Sequence, residues 1–247
     1  MRLYVDIGNS RTKLVEKVSG FGPVTAINNE LNNMPSLLSS YVENISMPDK
    51  IIVSNVAGEQ YAKIINLFCE EKWAVSPQYL DVTRECLGVQ NNYFNINEFG
   101  VDRWAAIVGA WNKNKSNLLV VDCGTAVTAD IVLHNGMHQG GYIIPGVNLM
   151  IGGLTDFTDN ISSIDIKSIS DEPGKSTQEC VINGSCYAVV AFIEKLINDL
   201  NIKFSTSFHC IITGGGSAVV MNGLSISFTY APNLVFEGME MISGDYK

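Results

Sequence analysis

The sequence predicts an α/β protein built from a duplicated half, and three observations predict it. One short pattern occurs twice, Val5-Asp6-Ile7-Gly8-Asn9-Ser10 and Val121-Asp122-Cys123-Gly124-Thr125-Ala126, about half the chain apart. An apolar run leads into each copy, Leu3-Tyr4-Val5 in the first and Leu118-Leu119-Val120-Val121 in the second, and Thr12 and Thr128 follow at the same offset. Short apolar runs then alternate with stretches of helical spacing, a pattern that layers helices on sheet.

Residues 2 to 7 form the opening strand, and a second strand around Thr12 to Val18 runs into the break at Gly20-Phe21-Gly22-Pro23. Leu31, Met34, Leu37, Leu38 and Tyr41 have helical spacing, so Leu31 to Ile45 is expected to be a helix in which Pro35 suits only an early position. Ile51-Ile52-Val53 is a short buried strand. Tyr61 to Cys69, with Ile64, Ile65 and Phe68 on one face, is a helix, and Val101 to Trp111 is another that closes the first half. The second half opens with a strand at Leu118 to Asp122 and continues from Thr125 to Leu133. Asn135-Gly136 signals a two-residue hairpin, and the return strand carries Gly140-Gly141-Tyr142-Ile143-Ile144-Pro145-Gly146. Val147 to Leu154 starts a helix. The polar stretch Thr155 to Lys175 reads as an exposed loop and a candidate lid. Gly184 to Leu200 is an amphipathic helix with Ala188, Phe192, Ile193 and Leu196 at core spacing. The strand Cys210-Ile211-Ile212-Thr213 ends in Gly214-Gly215-Gly216 and mirrors Ile51-Ile52-Val53-Ser54, which extends the duplication past the opening loop.

A chain of 247 residues with 46% hydrophobic content can bury the core of one large or two small domains. No run approaches the length of a membrane span, and no charged segment precedes a long apolar one at the N-terminus, so a cytoplasmic protein without membrane partners is expected. The six cysteines are scattered without a C-x-x-C, which favours reduced thiols over bridges or zinc. A net charge of −9 argues against a nucleic-acid partner, because neutralising a phosphate backbone takes a clustered basic surface.

Asp6-Ile7-Gly8-Asn9-Ser10-Arg11-Thr12-Lys13 combines a carboxylate, a close-approach glycine, amide and hydroxyl donors and two cations. That mixture suits a triphosphate tail, with the glycine bringing backbone N–H groups near the ligand and the carboxylate holding a metal ion. Two such loops facing each other would make a phosphate cleft. The alternative for each loop is an ordinary turn, and for Arg11 and Lys13 solvated surface charge. Gly100-Val101-Asp102-Arg103 lies where a loop meets a helix, so Asp102 is either a capping aspartate beside a surface arginine or a proton acceptor beside a guanidinium that forks onto a substrate carboxylate. Gly214-Gly215-Gly216 allows the close backbone approach that an adenine or ribose face needs. His134 and His138 flank the hairpin tip, where solvated histidines are usual. The thiolate of Cys123 is disfavoured by the neighbouring Asp122.

Asp6-Ile7-Gly8-Asn9-Ser10 with Lys13, Gly100-Val101-Asp102-Arg103, Asp122-Cys123-Gly124-Thr125-Ala126-Val127-Thr128 and Gly140 to Gly146, in this order, resemble type III pantothenate kinase over nearly the whole chain. The resemblance implies two ribonuclease-H-like halves, residues 1–115 and 116–247, around a nucleotide cleft, the fold of the actin-like ATPases, in a homodimer. It implies phosphorylation of the primary hydroxyl of pantothenate by ATP in coenzyme A biosynthesis, with Mg²⁺ on the nucleotide and a monovalent cation, K⁺ or NH₄⁺. Asp6, Ile7, Gly8, Asn9, Ser10, Arg11, Thr12, Lys13 and Thr125 would contact ATP. Asp122 would ligate the monovalent cation. Asp102 resembles the proton acceptor, and Tyr93, Gly100, Val101, Arg103 and Thr177 match pantothenate-contacting positions. Gly214-Gly215-Gly216 stands where Gly-Gly-Asp is usual, and the stretch after Gly146 lacks the family's Leu-Pro pair. The readings that remain beside it are another phosphotransferase or phosphohydrolase of the same fold, or a non-catalytic regulatory relative.

Overall fold

The computed structural model describes residues 1–43, 45–155 and 172–245. Contacts divide the chain into two compact units, Met1–Lys113 together with Asn233–Lys247, and Asn114–Pro232.

In the first unit, β1 (Arg2–Ile7), β2 (Arg11–Lys17), β3 (Thr25–Asn28), β4 (Lys50–Asn55) and β5 (Gln78–Tyr79) form one sheet in the order β3-β2-β1-β4-β5. Leu3 to Ile7 are all buried, as a central strand covered on both faces requires. Helix α1 (Met34–Val42) buries Met34, Leu38 and Val42, and α2 (Glu59–Trp73) buries Ile65, Cys69 and Trp73, each a stripe at four-residue spacing. The first helix begins at Met34 rather than at Leu31, because Pro35 sits in its opening turn and Leu31 is exposed. The short hairpin β6 (Glu85–Cys86) and β7 (Val89–Gln90) and a 3-10 turn at Ile96–Glu98 lead into α3 (Val101–Asn114), buried from Arg103 to Trp111. The last helix, α7 (Leu234–Ile242), belongs to this unit. It reaches α3 through glycines: a Cβ on Gly238 would lie 1.8 Å from the Ala105 carbonyl oxygen. Its buried Glu240 pairs with Lys17 and, at 3.7 Å, with Arg2.

In the second unit, β8 (Leu118–Cys123), β9 (Ala126–Val132), β10 (His138–Pro145), β11 (His209–Thr213) and β12 (Phe228–Tyr230) form a sheet in the order β10-β9-β8-β11-β12. Its other elements are α4 (Val147–Thr155), α5 (Thr177–Phe204) and α6 (Ser217–Met221). The two sheets have one topology. Three antiparallel strands come first, and two further strands then join the first strand's other edge in parallel. The duplication expected from two loops thus extends to every strand of both sheets.

Several local expectations change. Helix α5 starts at Thr177, seven residues before Gly184, because the Ser176 hydroxyl accepts the Glu179 N–H at 3.2 Å and caps it. At 28 residues it is also long and apolar enough to cross a membrane by length and composition, contrary to the expectation that no run is. Cys186, Val189, Ile193 and Ile197 lie instead in the core of the second unit. The hairpin after β9 has three residues rather than two: Leu133 N–H donates to the Met137 carbonyl at 3.0 Å, and Gly136, at φ 84°, takes the left-handed position. The candidate lid falls largely on residues 156–171, outside the described residues.

Candidate active site

The first loop leaves β1 at Ile7 and enters β2 at Arg11. Asp6 is buried, accepts a hydrogen bond from Ser54 Oγ at 3.1 Å on the neighbouring parallel strand, and lies 3.6 Å from Lys13 Nζ across the antiparallel pair. Lys13 is therefore the carboxylate's partner, while Arg11, two residues earlier, is exposed. Gly8 N–H donates to the Arg11 carbonyl at 3.0 Å and closes the turn, whose tip exposes Asn9 and Ser10. Ile7 and Thr12 face each other, both fully buried, and belong to the loop's support rather than to its surface.

The second loop is shorter by one residue. Gly124 N–H donates to the Ala126 carbonyl at 3.0 Å, so Thr128, not its successor, stands opposite Asp122. Thr12 and Thr128 share an offset in sequence but not a place in the sheet, since the residue opposite Asp6 is Lys13. On the parallel side the copies agree: Ser54 is in register with Asp6, and Thr213 with Asp122. Thr125 is exposed at the second turn, and its carbonyl accepts Gly146 N–H at 2.9 Å. Gly214, at φ 96°, is packed against this loop, because a Cβ there would lie 2.3 Å from Asp122 Oδ1 and 2.6 Å from the Cys123 carbonyl oxygen. Gly216 N–H donates to that same carbonyl at 2.8 Å. Two of the three glycines thus serve close approach to the chain itself, and Gly215 has open space before it. Burial first, and Asp122 second, push the Cys123 thiol up to about 12, so it is a protonated core residue and not a nucleophile.

The third cluster lies at the start of α3. Asp102 sits in the helix's first turn, and its Oδ1 accepts the Arg103 N–H at 2.7 Å, one of the donors that a helix N-terminus leaves unpaired. A Cβ on Gly100 would lie 2.5 Å from that same Oδ1, so glycine is the residue that lets the carboxylate fold back there. Arg103 is 7% exposed, which overturns the surface-arginine alternative. Its guanidinium lies 4.6 Å from the Phe99 ring centre and 5.7 Å from that of Tyr93, and its Nη1 donates to Tyr93 Oη at 3.1 Å. Stacking on two rings fixes the guanidinium plane. Val101 is buried, and with Gly100, Asn55, Val56, Asp81 and Phe99 it lines a hollow of about 490 Å³. A larger hollow of about 660 Å³ between β3 and α1 includes none of the candidate site residues.

Thr177 is the exposed first residue of α5. His138, expected at a solvated tip, is fully buried, with Nε2 2.9 Å from the buried Asp130 Oδ1; the three-residue loop 134–136 sets it opposite the buried Val132 in β10. Sequence reasoning missed Ser54 and Thr213, which the strand register alone reveals, and Asn29 and Arg84, which hold loops through side chains distant in sequence. Among the described residues, no group of three or more His, Cys, Asp or Glu is gathered that could hold a metal ion.

Two sheets of identical topology, each with an aspartate next to the end of its first strand at a tight turn, have the fold of the actin-like ATPases and sugar kinases. A solved structure of a candidate 2-dehydro-3-deoxygalactonokinase from Sinorhizobium meliloti is similar in fold, with a TM-score of 0.61 at 11% identity over 98% of this chain and 96% of that one. The family model for type III pantothenate kinase matches residues 2–199, and the chain belongs to that family. It is 29% identical to the type III pantothenate kinase of Nitrosococcus oceani over 99% of this chain and 94% of that protein. To that of Marinobacter nauticus it is 31% identical over 98% of each. It is accordingly a kinase that phosphorylates pantothenate in coenzyme A biosynthesis, with ATP as donor.

Proposed function

We propose that the reaction is transfer of the γ-phosphoryl group of ATP to the primary hydroxyl of pantothenate, with Asp102 as proton acceptor. The observation that carries this reading is that one helix N-terminus holds both the Asp102 carboxylate, which accepts the Arg103 backbone N–H, and the buried, ring-stacked Arg103 side chain. Arg103, with Tyr93, Gly100, Val101 and Thr177, holds the acceptor's carboxylate and chain. Asp102 orients the hydroxyl and takes its proton late, since a loose phosphoryl-transfer transition state asks more of positioning than of base strength. The phosphates of ATP lie on Gly8, Asn9, Ser10 and Arg11, with Lys13 drawn toward them from Asp6 and Thr125 adding a hydroxyl. Mg²⁺ arrives with ATP and needs few protein ligands, because the phosphates supply most of its oxygens. Asp122 holds a monovalent cation, K⁺ or NH₄⁺, whose charge offsets that of the phosphates. Of the halves read from the sequence, 1–115 supplies the phosphate loop and Asp102, and 116–247 supplies Thr125, Thr177 and Asp122.

A homodimer is part of the same proposal. Tyr142, Ile143, Leu149, Leu154 and Tyr187, all in the second unit, are at least half exposed, an apolar surface of the kind that oligomers cover. A cytoplasmic enzyme that binds neither nucleic acid nor membrane agrees with the net charge of −9. Coupled ADP release with and without pantothenate, in sodium and in potassium buffer, tests the reaction. Turnover that needs pantothenate and rises in potassium is expected; pantothenate-independent hydrolysis points to a phosphohydrolase, and no turnover to a regulator. Light scattering should give twice the 26.9 kDa chain mass.

A further inference from the structure

Asn29, one residue beyond β3 and outside every motif, binds the first loop at three points. Its backbone N–H donates to the Ser10 carbonyl at 2.9 Å, and its Nδ2 donates to the Gly8 carbonyl. Its Oδ1 accepts the hydroxyl of the fully buried Thr12 at 2.7 Å, and its own carbonyl accepts Tyr61 Oη at 3.2 Å from α2. The side-chain amide is therefore oriented from one side by Thr12 and its backbone is tied from another by Tyr61.

The chain contains no cis peptide among the described residues, and in a planar trans peptide the C=O and the following N–H point in opposite directions. Holding the Gly8 carbonyl toward Asn29 turns the Asn9 N–H away from it, and holding the Ser10 carbonyl does the same for the Arg11 N–H. Glycine at position 8 leaves the Gly8-Asn9 peptide free to flip, which would bring a carbonyl oxygen to the face where a donor stands. A carbonyl there repels a phosphate oxygen, whereas an N–H binds it.

We propose that Asn29 is the positioning residue of the ATP phosphate loop, keeping the Gly8-Asn9 peptide in the orientation that offers its N–H to the nucleotide. This rests on the assignment of Gly8 to Lys13 to ATP. Asn29→Ala removes both side-chain bonds. Asn29→Asp is the sharper variant, because it keeps the acceptor for Thr12 but sets a second oxygen against the Gly8 carbonyl. In the full chain each should raise KM for ATP roughly tenfold, about 1.4 kcal/mol, and leave KM for pantothenate unchanged. Thr12→Val, which keeps the buried shape and removes only the hydroxyl that orients the amide, should raise KM for ATP roughly threefold and serves if the Asn29 variants do not fold. A residue that only stabilised the fold would lower the melting temperature and shift both KM values or neither. Lys13→Ala separates the two levels of the argument. If it raises KM for ATP while Asn29→Asp, or Thr12→Val in its place, leaves that value within twofold of wild type, Asn29 has no positioning role. If neither Lys13→Ala nor the Asn29 variants move it, the loop itself is not the phosphate site.

Discussion

Replacing Asp102 by Asn isolates proton acceptance from architecture. Asn has the same shape, and its Oδ1 can still accept the Arg103 N–H that Asp102 takes at 2.7 Å, so the first turn of α3 keeps its satisfied donor. At the helix N-terminus the fold loses the favourable contact of a negative charge, about 0.3–1 kcal/mol. The stacking of Arg103 on Phe99 and Tyr93 does not depend on the substituted atom and should persist. What disappears is a group able to take the hydroxyl proton, and general-base contributions are typically 10²- to 10⁴-fold. At about 1.36 kcal/mol per factor of ten this is roughly 3–5 kcal/mol of barrier, several times the expected effect on stability. Steady-state ADP release with saturating pantothenate measures kcat, and the dependence on ATP in the same assay should give a KM near that of wild type. The melting temperature serves as the control for folding. A variant that turns over within a few-fold of wild type would refute Asp102 as the acceptor, and one that loses ATP affinity in step with kcat would move it to the nucleotide side.

Three further outcomes follow from specific contacts. Gly100→Ala places a Cβ where the Asp102 Oδ1 now lies, 2.5 Å away, so the carboxylate must move, and kcat should fall about tenfold to a hundredfold with little change in melting temperature. Arg84 forks onto the carbonyls of Tyr93 and, at 2.9 Å, Phe94; Arg84→Lys keeps the charge but not the fork, so the Tyr93 loop loosens and KM for pantothenate should rise several-fold while that for ATP stays. Gly238→Ala forces α7 away from the Ala105 carbonyl, and urea unfolding should show a loss of roughly 1–3 kcal/mol, with catalytic constants at low temperature unchanged.

The elements that the sequence made legible are those whose signal is local. β1, β4, β8 and β11 are unbroken apolar runs, and each lies inside its sheet with its apolar residues buried. The short strands β5 and β12 occupy sheet edges, where pairing with one neighbour rather than composition defines them. The cap of α5 was present as Ser176-Thr177-Gln178-Glu179, a Ser-x-x-Glu box, but it was hidden by the polar stretch before it. For the site, Asp6, Asp102 and Asp122 stood out because each lies two residues from a glycine, Gly8, Gly100 or Gly124, and of these Gly100 is the one whose Cβ position is closed, 2.5 Å from Asp102 Oδ1. Arg103 looked like a surface charge because burial of an arginine depends on rings ten residues before it and four before it, at Tyr93 and Phe99, which no periodicity connects. His138 failed for a related reason, since a loop one residue longer than expected shifts its partner across the hairpin to the buried Val132.

The divergence of the two copies has a structural origin that side-chain identity alone does not supply. Both first strands end in an aspartate whose parallel neighbour carries a hydroxyl, Ser54 or Thr213, so the scaffold around the carboxylate is the same. The turns differ by one residue, and in a β-hairpin a one-residue change in the loop alters which side chain stands opposite a given position. In the first copy that side chain is Lys13, which meets Asp6 at 3.6 Å. In the second it is Thr128, a neutral group. Were the first turn one residue shorter, Thr12 would stand opposite Asp6 as Thr128 stands opposite Asp122; were the second one residue longer, Ala129 would stand there, so only the first copy sets a cation opposite its aspartate. Asp102 lies outside both copies, in the first turn of α3.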